Sequence, residues 1–167
     1  MIPVAPTLDA GRIQLRLDER AESNGFIKAL RNATHDALRY ADAAVVASGT
    51  ATLETALLGC PMVVVYRVAS GTAFFARFMV DVPYFSIVNL LAAKRTVAEL
   101  IQNDFTGGRV ADEIERLFTS FETRQEMLAD FLRIRARLGR GGAARRASES
   151  IAKMLRENAR PVEAPAF

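Results

Sequence analysis

The chain has 167 residues, half of them hydrophobic and a quarter charged, with a formal net charge of +3 at pH 7. That composition suits a globular domain with a real core and excludes disordered, collagenous and disulfide-scaffold classes. Cys60 is the only cysteine, so no internal disulfide can form, which fits a reducing, cytoplasmic compartment.

No apolar run approaches the roughly 20 residues needed to span a bilayer. The greasiest stretch, Phe74 to Leu91, is broken by Arg77, Asp81 and Pro83. The first six residues lack the basic-then-apolar pattern of a signal peptide. The charge is uneven. Residues 131–160 carry nine Arg and Lys against two Glu, a local +7, leaving the rest near −4. Such a tail is either a solvated helix surface or a face for an anionic membrane or ligand.

In chain order, Val4-Ala5-Pro6-Thr7 reads as a strand end entering a loop, with no complete strand before it. The turn cluster Glu22–Gly25 leads to a short strand at Phe26–Leu30. Thr34 is placed to cap a helix over 35–41. Val45-Val46-Ala47 has the character of a buried parallel strand. Ala51 to Leu58 reads as a helix, closed by Gly59 in a left-handed cap and stopped by Pro61. Met62–Tyr66 is β-branched and continuous, the clearest strand in the sequence. Residues 45–66 therefore form a strand–helix–strand crossover, expected to be right-handed.

Thr72–Val80 is predicted helical and Tyr84–Val88 a short strand. Beyond Asn89 the pattern is mostly helical. Val110, Ile114, Leu117, Phe118 and Phe121 share one helical face, and Met127, Phe131, Ile134 and Leu138 another. Gly139 to Gly142 breaks that helix. Ala147, Ile151, Met154 and Leu155 form a last amphipathic stripe, and residues 161–167 are expected to fray. The fold class is thus α/β, a short parallel sheet flanked by helices with a helical C-terminal region.

The segment Ser48-Gly49-Thr50-Ala51-Thr52-Leu53-Glu54 joins a buried strand to a helix N-terminus. Ligands of open α/β sheets bind at the carboxyl ends of the strands. A helix start offers free N–H groups and partial positive charge to a phosphate. Gly49 lets the backbone approach closely. The hydroxyls of Ser48, Thr50 and Thr52 suit phosphate oxygens, and the Glu54 carboxylate suits a ribose diol. A second reading stands beside this one: Ser48 or Thr50 as a simple N-cap, with Glu54 as the acid of a capping box. The pattern is neither a Walker loop nor a dinucleotide fingerprint.

Ala41–Glu54, running on to Pro61–Val68, resembles the lipid-A-disaccharide synthase family. So do Ala5–Asp9, Val82-Pro83-Tyr84, Asn89-Leu90-Leu91, Glu99-Leu100-Ile101-Gln102, Leu138-Gly139 and the Ala-rich last helix. The resemblance covers nearly the whole chain in order. It implies a GT-B glycosyltransferase with two Rossmann-like domains, of which this chain is the C-terminal, donor-binding half. Residues 1–160 would be one UDP-sugar-binding domain. The implied reaction is hexosyl transfer from UDP-2,3-diacylglucosamine to 2,3-diacylglucosamine 1-phosphate in lipid A biosynthesis, releasing UDP.

On the resemblance, Ser48, Gly49, Thr50, Ala51 and Thr52 would hold the diphosphate and Glu54 the ribose. Asn89, Glu99 and Gln102 would line the donor side of the cleft. Their other reading is a turn residue for Asn89 and solvent-facing helix positions for Glu99 and Gln102. Ala98 departs from the family's proline and is expected to loosen a helix start.

The catalytic base, the acceptor site and the first strand of the domain would lie outside this chain. The sheet is then expected to show an unpaired edge or a missing central strand. The chain alone is expected to be inactive; the alternative is a non-catalytic nucleotide-binding or partner subunit needing a separate acceptor domain, and the candidate protein partners are a second copy in a homodimer or a complementary N-terminal half. No cofactor or metal is expected: His35, the only histidine, reads as a helix-surface residue, and Cys60 as a small buried hydrophobe. Phe74-Phe75-Ala76-Arg77-Phe78-Met79 is either core or a contact for acyl chains at the inner face of the inner membrane. Nucleic acid is not an expected partner, because the basic stretch lacks interleaved aromatics.

Overall fold

The computed structural model describes residues 1–4, 8–20, 27–67, 83–139 and 141–158. They fall into two compact units, one ending at Arg137 and one beginning at Leu138.

The first unit opens with β1 (Ile2–Val4), α1 (Ala10–Arg20) and β2 (Ala29–Arg31). The helix was not foreseen, although Asp9 is a proper start signal: its carboxylate accepts from the N–H of Gly11 at 2.8 Å. Gln14 of α1 then fixes the approach to β2. It donates to the Ile27 carbonyl at 3.0 Å and accepts from Ala29 N–H at 2.8 Å. β1 and β2 pair in parallel, Ile2 beside Ala29 and Val4 beside Arg31.

There follow α2 (Thr34–Tyr40), β3 (Ala44–Ala47), α3 (Thr50–Leu57) and β4 (Met62–Tyr66). Thr34 is the first residue of α2 rather than its cap; Ala33 holds that place without a side-chain bond. The expected crossover of residues 45–66 is present. Gly59 takes φ +74° at the end of α3, as a left-handed cap requires. β4 is buried along four of its five residues, Met62 to Val65, which is why it reads as an unbroken apolar run.

After the undescribed stretch 68–82 come α4 (Ile87–Ala92) and β5 (Ala98–Ile101), which ends in a 3-10 turn at Gln102–Asp104. α5 (Gly107–Thr119) and α6 (Phe121–Leu138) follow. Two expectations are corrected here. Tyr84–Val88 is no strand: the chain bends through Pro83–Ser86, and Ser86 caps α4 by accepting from Asn89 N–H at 3.2 Å. Residues 98–101 are a strand, so Ala98 opens β5 and no helix start is there to loosen. Pairing with β4 overrides the helix-forming character of Ala, Glu and Leu.

The predicted helix Thr72–Val80 and the Phe74–Met79 stripe lie outside the described residues. So do the turn Glu22–Gly25, the first residue of the Phe26–Leu30 segment and the tail 161–167.

The strands form two parallel sheets, β1–β2 and β3–β4–β5, with no ladder joining them among the described residues. Ala44 and Ser48 donate to the Pro61 and Val65 carbonyls, both at 2.9 Å. The alternation of a parallel strand then turns the N–H groups of Val45 and Ala47 to the opposite edge of β3. Val45, mid-strand, is 49 % exposed. Among the described residues no strand pairs with that edge.

The core gathers Val46, Met62–Val65, Val88, Val97, Ala98 and Leu100 with Leu117 of α5 and Met127, Phe131 and Ile134 of α6. Val110 and Ile114 also pack against it, whereas Phe118, Phe121 and Leu138 are exposed, so the two expected helical faces are narrower than their sequence patterns. The second unit holds α7 (Ala143–Asn158), an amphipathic helix whose Ile151, Met154 and Leu155 are exposed. Among the described residues no helix is long and apolar enough to cross a membrane.

Candidate functional site at the carboxyl edge of the sheet

Strand register decides which residues meet. Ala47 lies beside Val65, Val65 beside Leu100, and Tyr66 beside Ile101. The residues that leave the three strands, Ser48, Arg67 and Gln102, therefore stand along one edge of the sheet. α3 begins at this edge.

Gly49 is the N-cap residue of α3, with φ +148° and ψ −163°, a conformation open essentially to glycine. No atom lies within 4 Å of where its Cβ would be, so the demand here is backbone conformation, not space. Among the described residues no side-chain hydrogen bond caps α3. The capping-box reading of Ser48, Thr50 and Glu54 is thus not realised, and the first N–H groups of the helix, at Thr50 and Ala51, keep the partial positive charge of an open helix start.

The motif divides into two faces. Thr50, Ala51 and Glu54 are on the exposed side, Thr50 and Glu54 one turn apart. Thr52 and Thr55 are fully buried. Their hydroxyls are spent on backbone: Thr52 Oγ1 donates to the Gly49 carbonyl and Thr55 Oγ1 to that of Ala51, each at 2.7 Å. Ser48 donates its hydroxyl to the Phe85 carbonyl at 3.0 Å. Glu54 has an exposed neighbour in His35, Nε2 to Oε2 3.7 Å, a surface pair of little energetic weight. His35 is on the helix surface, as expected.

Asn89 and Glu99 meet each other beside this edge. Asn89 is fully buried and its amide is used at both ends. Its Nδ2 donates to the Val97 carbonyl at 3.0 Å and to Glu99 Oε1 at 2.8 Å; its Oδ1 accepts from Thr96 and Val97 N–H at 2.8 and 2.9 Å. Glu99 also accepts from Ser86 N–H at 2.8 Å and from Phe85 N–H at 3.1 and 3.2 Å.

Gln102 has positive φ, +53°, where β5 ends. Arg67 secures that turn. Its Nη2 donates to the carbonyls of Gln102 and Phe105 at 3.3 and 2.6 Å, and its guanidinium lies 5.1 Å from the centre of the Phe105 ring. Arg67, Phe85 and Ser86 belong to this constellation and escaped the sequence reading. Arg67 was detectable as the cation ending the strongest strand, and Ser86 as the cap three residues before Asn89.

Cys60 is 1 % exposed. Burial pushes its thiol above the ordinary value; Arg124 pulls the other way and Asp42 adds to the rise. That is the chemistry of a packed residue, not of a nucleophile. No group of three or more His, Cys, Asp or Glu side chains suited to a metal occurs among the described residues.

A family model described as lipid-A-disaccharide synthetase matches residues 7–153. The chain is 42 % identical over 156 residues to a lipid-A-disaccharide synthase of Myxococcus xanthus, covering 93 % of this chain and 40 % of that protein. It is 36 % identical to lipid-A-disaccharide synthases of Solibacter usitatus, over 156 residues, and Syntrophus aciditrophicus, over 158 residues. These cover 93 % and 95 % of this chain, and 40 % and 41 % of the relatives. The chain therefore spans about two fifths of the length of these relatives. With its parallel α/β core and the match along nearly its whole length, the chain belongs to the lipid-A-disaccharide synthetase family.

Proposed function

We propose that this chain is the donor-binding half of a lipid-A-disaccharide synthase. It would hold UDP-2,3-diacylglucosamine for hexosyl transfer to 2,3-diacylglucosamine 1-phosphate. The observation that carries the reading is the uncapped start of α3 at the carboxyl edge of the sheet, with Thr50 and Glu54 exposed one turn apart.

The diphosphate lies against Gly49, Thr50 and Ala51, whose N–H groups and helix-end charge stabilise the negative charge that grows on the departing UDP. The Thr50 hydroxyl adds a donor. Glu54 accepts from the ribose diol, and Gln102 approaches the donor from the end of β5. Thr52, Asn89 and Ser48 contribute by holding the backbone in place. On this reading the residues that bind the acceptor and remove its proton are expected outside the two fifths of the relatives' length that this chain spans.

A second reading follows from that span: the chain binds nucleotide and supports transfer only with a separate acceptor-binding polypeptide. In either reading the acylated substrates place the work at the cytoplasmic face of the inner membrane. The cations and exposed apolar residues of α7 suit a peripheral contact there.

Titration of the isotope-labelled chain with UDP tests the site. The expected result is amide shifts concentrated at Gly49, Thr50 and Ala51. Shifts that avoid these three residues contradict it.

A further inference from the structure

We propose that Glu99 is a positioning residue for the nucleotide site, acting through the Phe85–Ser86 peptide and Ser48 without touching the ligand. This rests on Gly49–Ala51 being the diphosphate site.

β5 buries one face, with Ala98 6 % and Leu100 3 % exposed, and Glu99 stands on the other, half-buried face beside Ile101. A half-buried carboxylate is held in place when its lone pairs are met by donors. No Lys or Arg ion pair meets Glu99 among the described residues. Three neutral N–H donors do: Phe85 N, Ser86 N and Asn89 Nδ2. Hydrogen bonds to an ionised acceptor are the stronger kind, so this cluster fixes the loop that enters α4. Asn89 is locked from behind by its own bonds to Thr96 and Val97. To reach a ribose, the Glu99 carboxylate would have to abandon two backbone amides.

The held loop in turn presents the Phe85 carbonyl to the Ser48 hydroxyl, 3.0 Å away. Ser48 is also fixed through its N–H, to the Val65 carbonyl at 2.9 Å. It immediately precedes Gly49, whose unusual conformation aims the start of α3. A continuous series of bonds thus runs from β5 through the Phe85–Ser86 loop to the phosphate-facing backbone, and Glu99 is its fixed end.

The test is amide exchange at Phe85 and Ser86, with and without UDP, alongside UDP affinity, in wild type, Glu99→Ala and Glu99→Gln. In wild type both amides are expected to exchange slowly, and UDP leaves them slow. Glu99→Ala speeds their exchange by about tenfold or more and weakens UDP binding about tenfold. Glu99→Gln keeps one oxygen for Ser86 and Asn89, and is expected to recover slow Ser86 exchange and UDP affinity to within about threefold.

Faster exchange in wild type on adding UDP would mean that the carboxylate leaves the loop for the ligand, and it overturns the proposal. So does a Glu99→Ala chain that binds UDP like wild type. If Glu99→Ala does not fold, the wild-type comparison and Glu99→Gln still decide. A wild type with slow amides and no UDP binding refutes the nucleotide reading, and the positioning role with it, yet leaves the carboxylate–loop bonds intact.

Discussion

The hydroxyl of Ser48 donates to the carbonyl of Phe85 at 3.0 Å, joining the loop before α3 to the loop before α4. Both loops leave exposed backbone at the same edge of the sheet, so the bond sets their spacing. Ser48→Ala removes it while leaving the Phe85 carbonyl open to water. The expected cost is about 0.5–1.5 kcal/mol in stability. UDP affinity should fall about threefold to tenfold. Thermal unfolding and calorimetry measure the two; an unchanged affinity would show that the two loops bind independently.

Thr50 and Thr52 are two residues apart and face opposite ways. Thr52→Val replaces a fully buried hydroxyl that serves the Gly49 carbonyl, and should destabilise by about 1–2 kcal/mol. Thr50→Ala touches an exposed position and should leave stability within about 0.5 kcal/mol while weakening UDP binding. Denaturant midpoints and UDP titrations on both variants separate the roles. The reverse pattern would mean that the faces of α3 are assigned the wrong way round.

Asp130 of α6 is 4 % exposed and bonds Lys94 at 2.7 Å, Thr96 at 3.0 Å and Arg133 at 2.5 Å. Burial by itself raises its carboxyl, but the bonds from Lys94, Thr96 and Arg133 outweigh it and hold the group below its ordinary value of 3.8. A depressed folded value means that the ionised form stabilises the fold above the unfolded value. That contribution is lost as pH falls through the folded one. Asp130→Asn should therefore cost about 1–3 kcal/mol at neutral pH, with the difference from wild type shrinking below about pH 4. Unfolding curves between pH 7 and pH 2 measure it. A difference independent of pH would assign the effect to packing alone.

The thiol of Cys60 is buried and raised, so alkylation by iodoacetamide should be slow in the folded chain and at least about a hundredfold faster in denaturant. Labelling at equal rates would mean that the end of α3 opens readily.

The β3–α3–β4 crossover was legible because each signal agreed with its neighbours. Val45-Val46-Ala47 and Met62–Tyr66 are β-branched runs, and Gly59 and Pro61 punctuate the turn between them. β5 was not legible. Ala98, Glu99 and Leu100 favour a helix when taken alone, and a carboxylate inside a strand makes sense only once the amides of Phe85 and Ser86 are seen to meet it. Tyr84–Val88 misled in the opposite direction, because its aromatic and β-branched residues suit a strand and the decisive feature was the Ser86 cap. In the site, spacing singled out Ser48 to Glu54 as a unit. It could not say that Thr52 turns inward or that the Ser48 hydroxyl is already engaged, since both depend on contacts across the fold.

The central claim is tested most directly by calorimetric titration of UDP into the chain, with Glu54→Ala as the comparison. A donor site on α3 predicts measurable binding by wild type and a loss of about tenfold or more in the variant, whose stability should stay within about 0.5 kcal/mol because Glu54 is exposed. A folded wild type that does not bind UDP, or a variant that binds it equally well, would contradict the account.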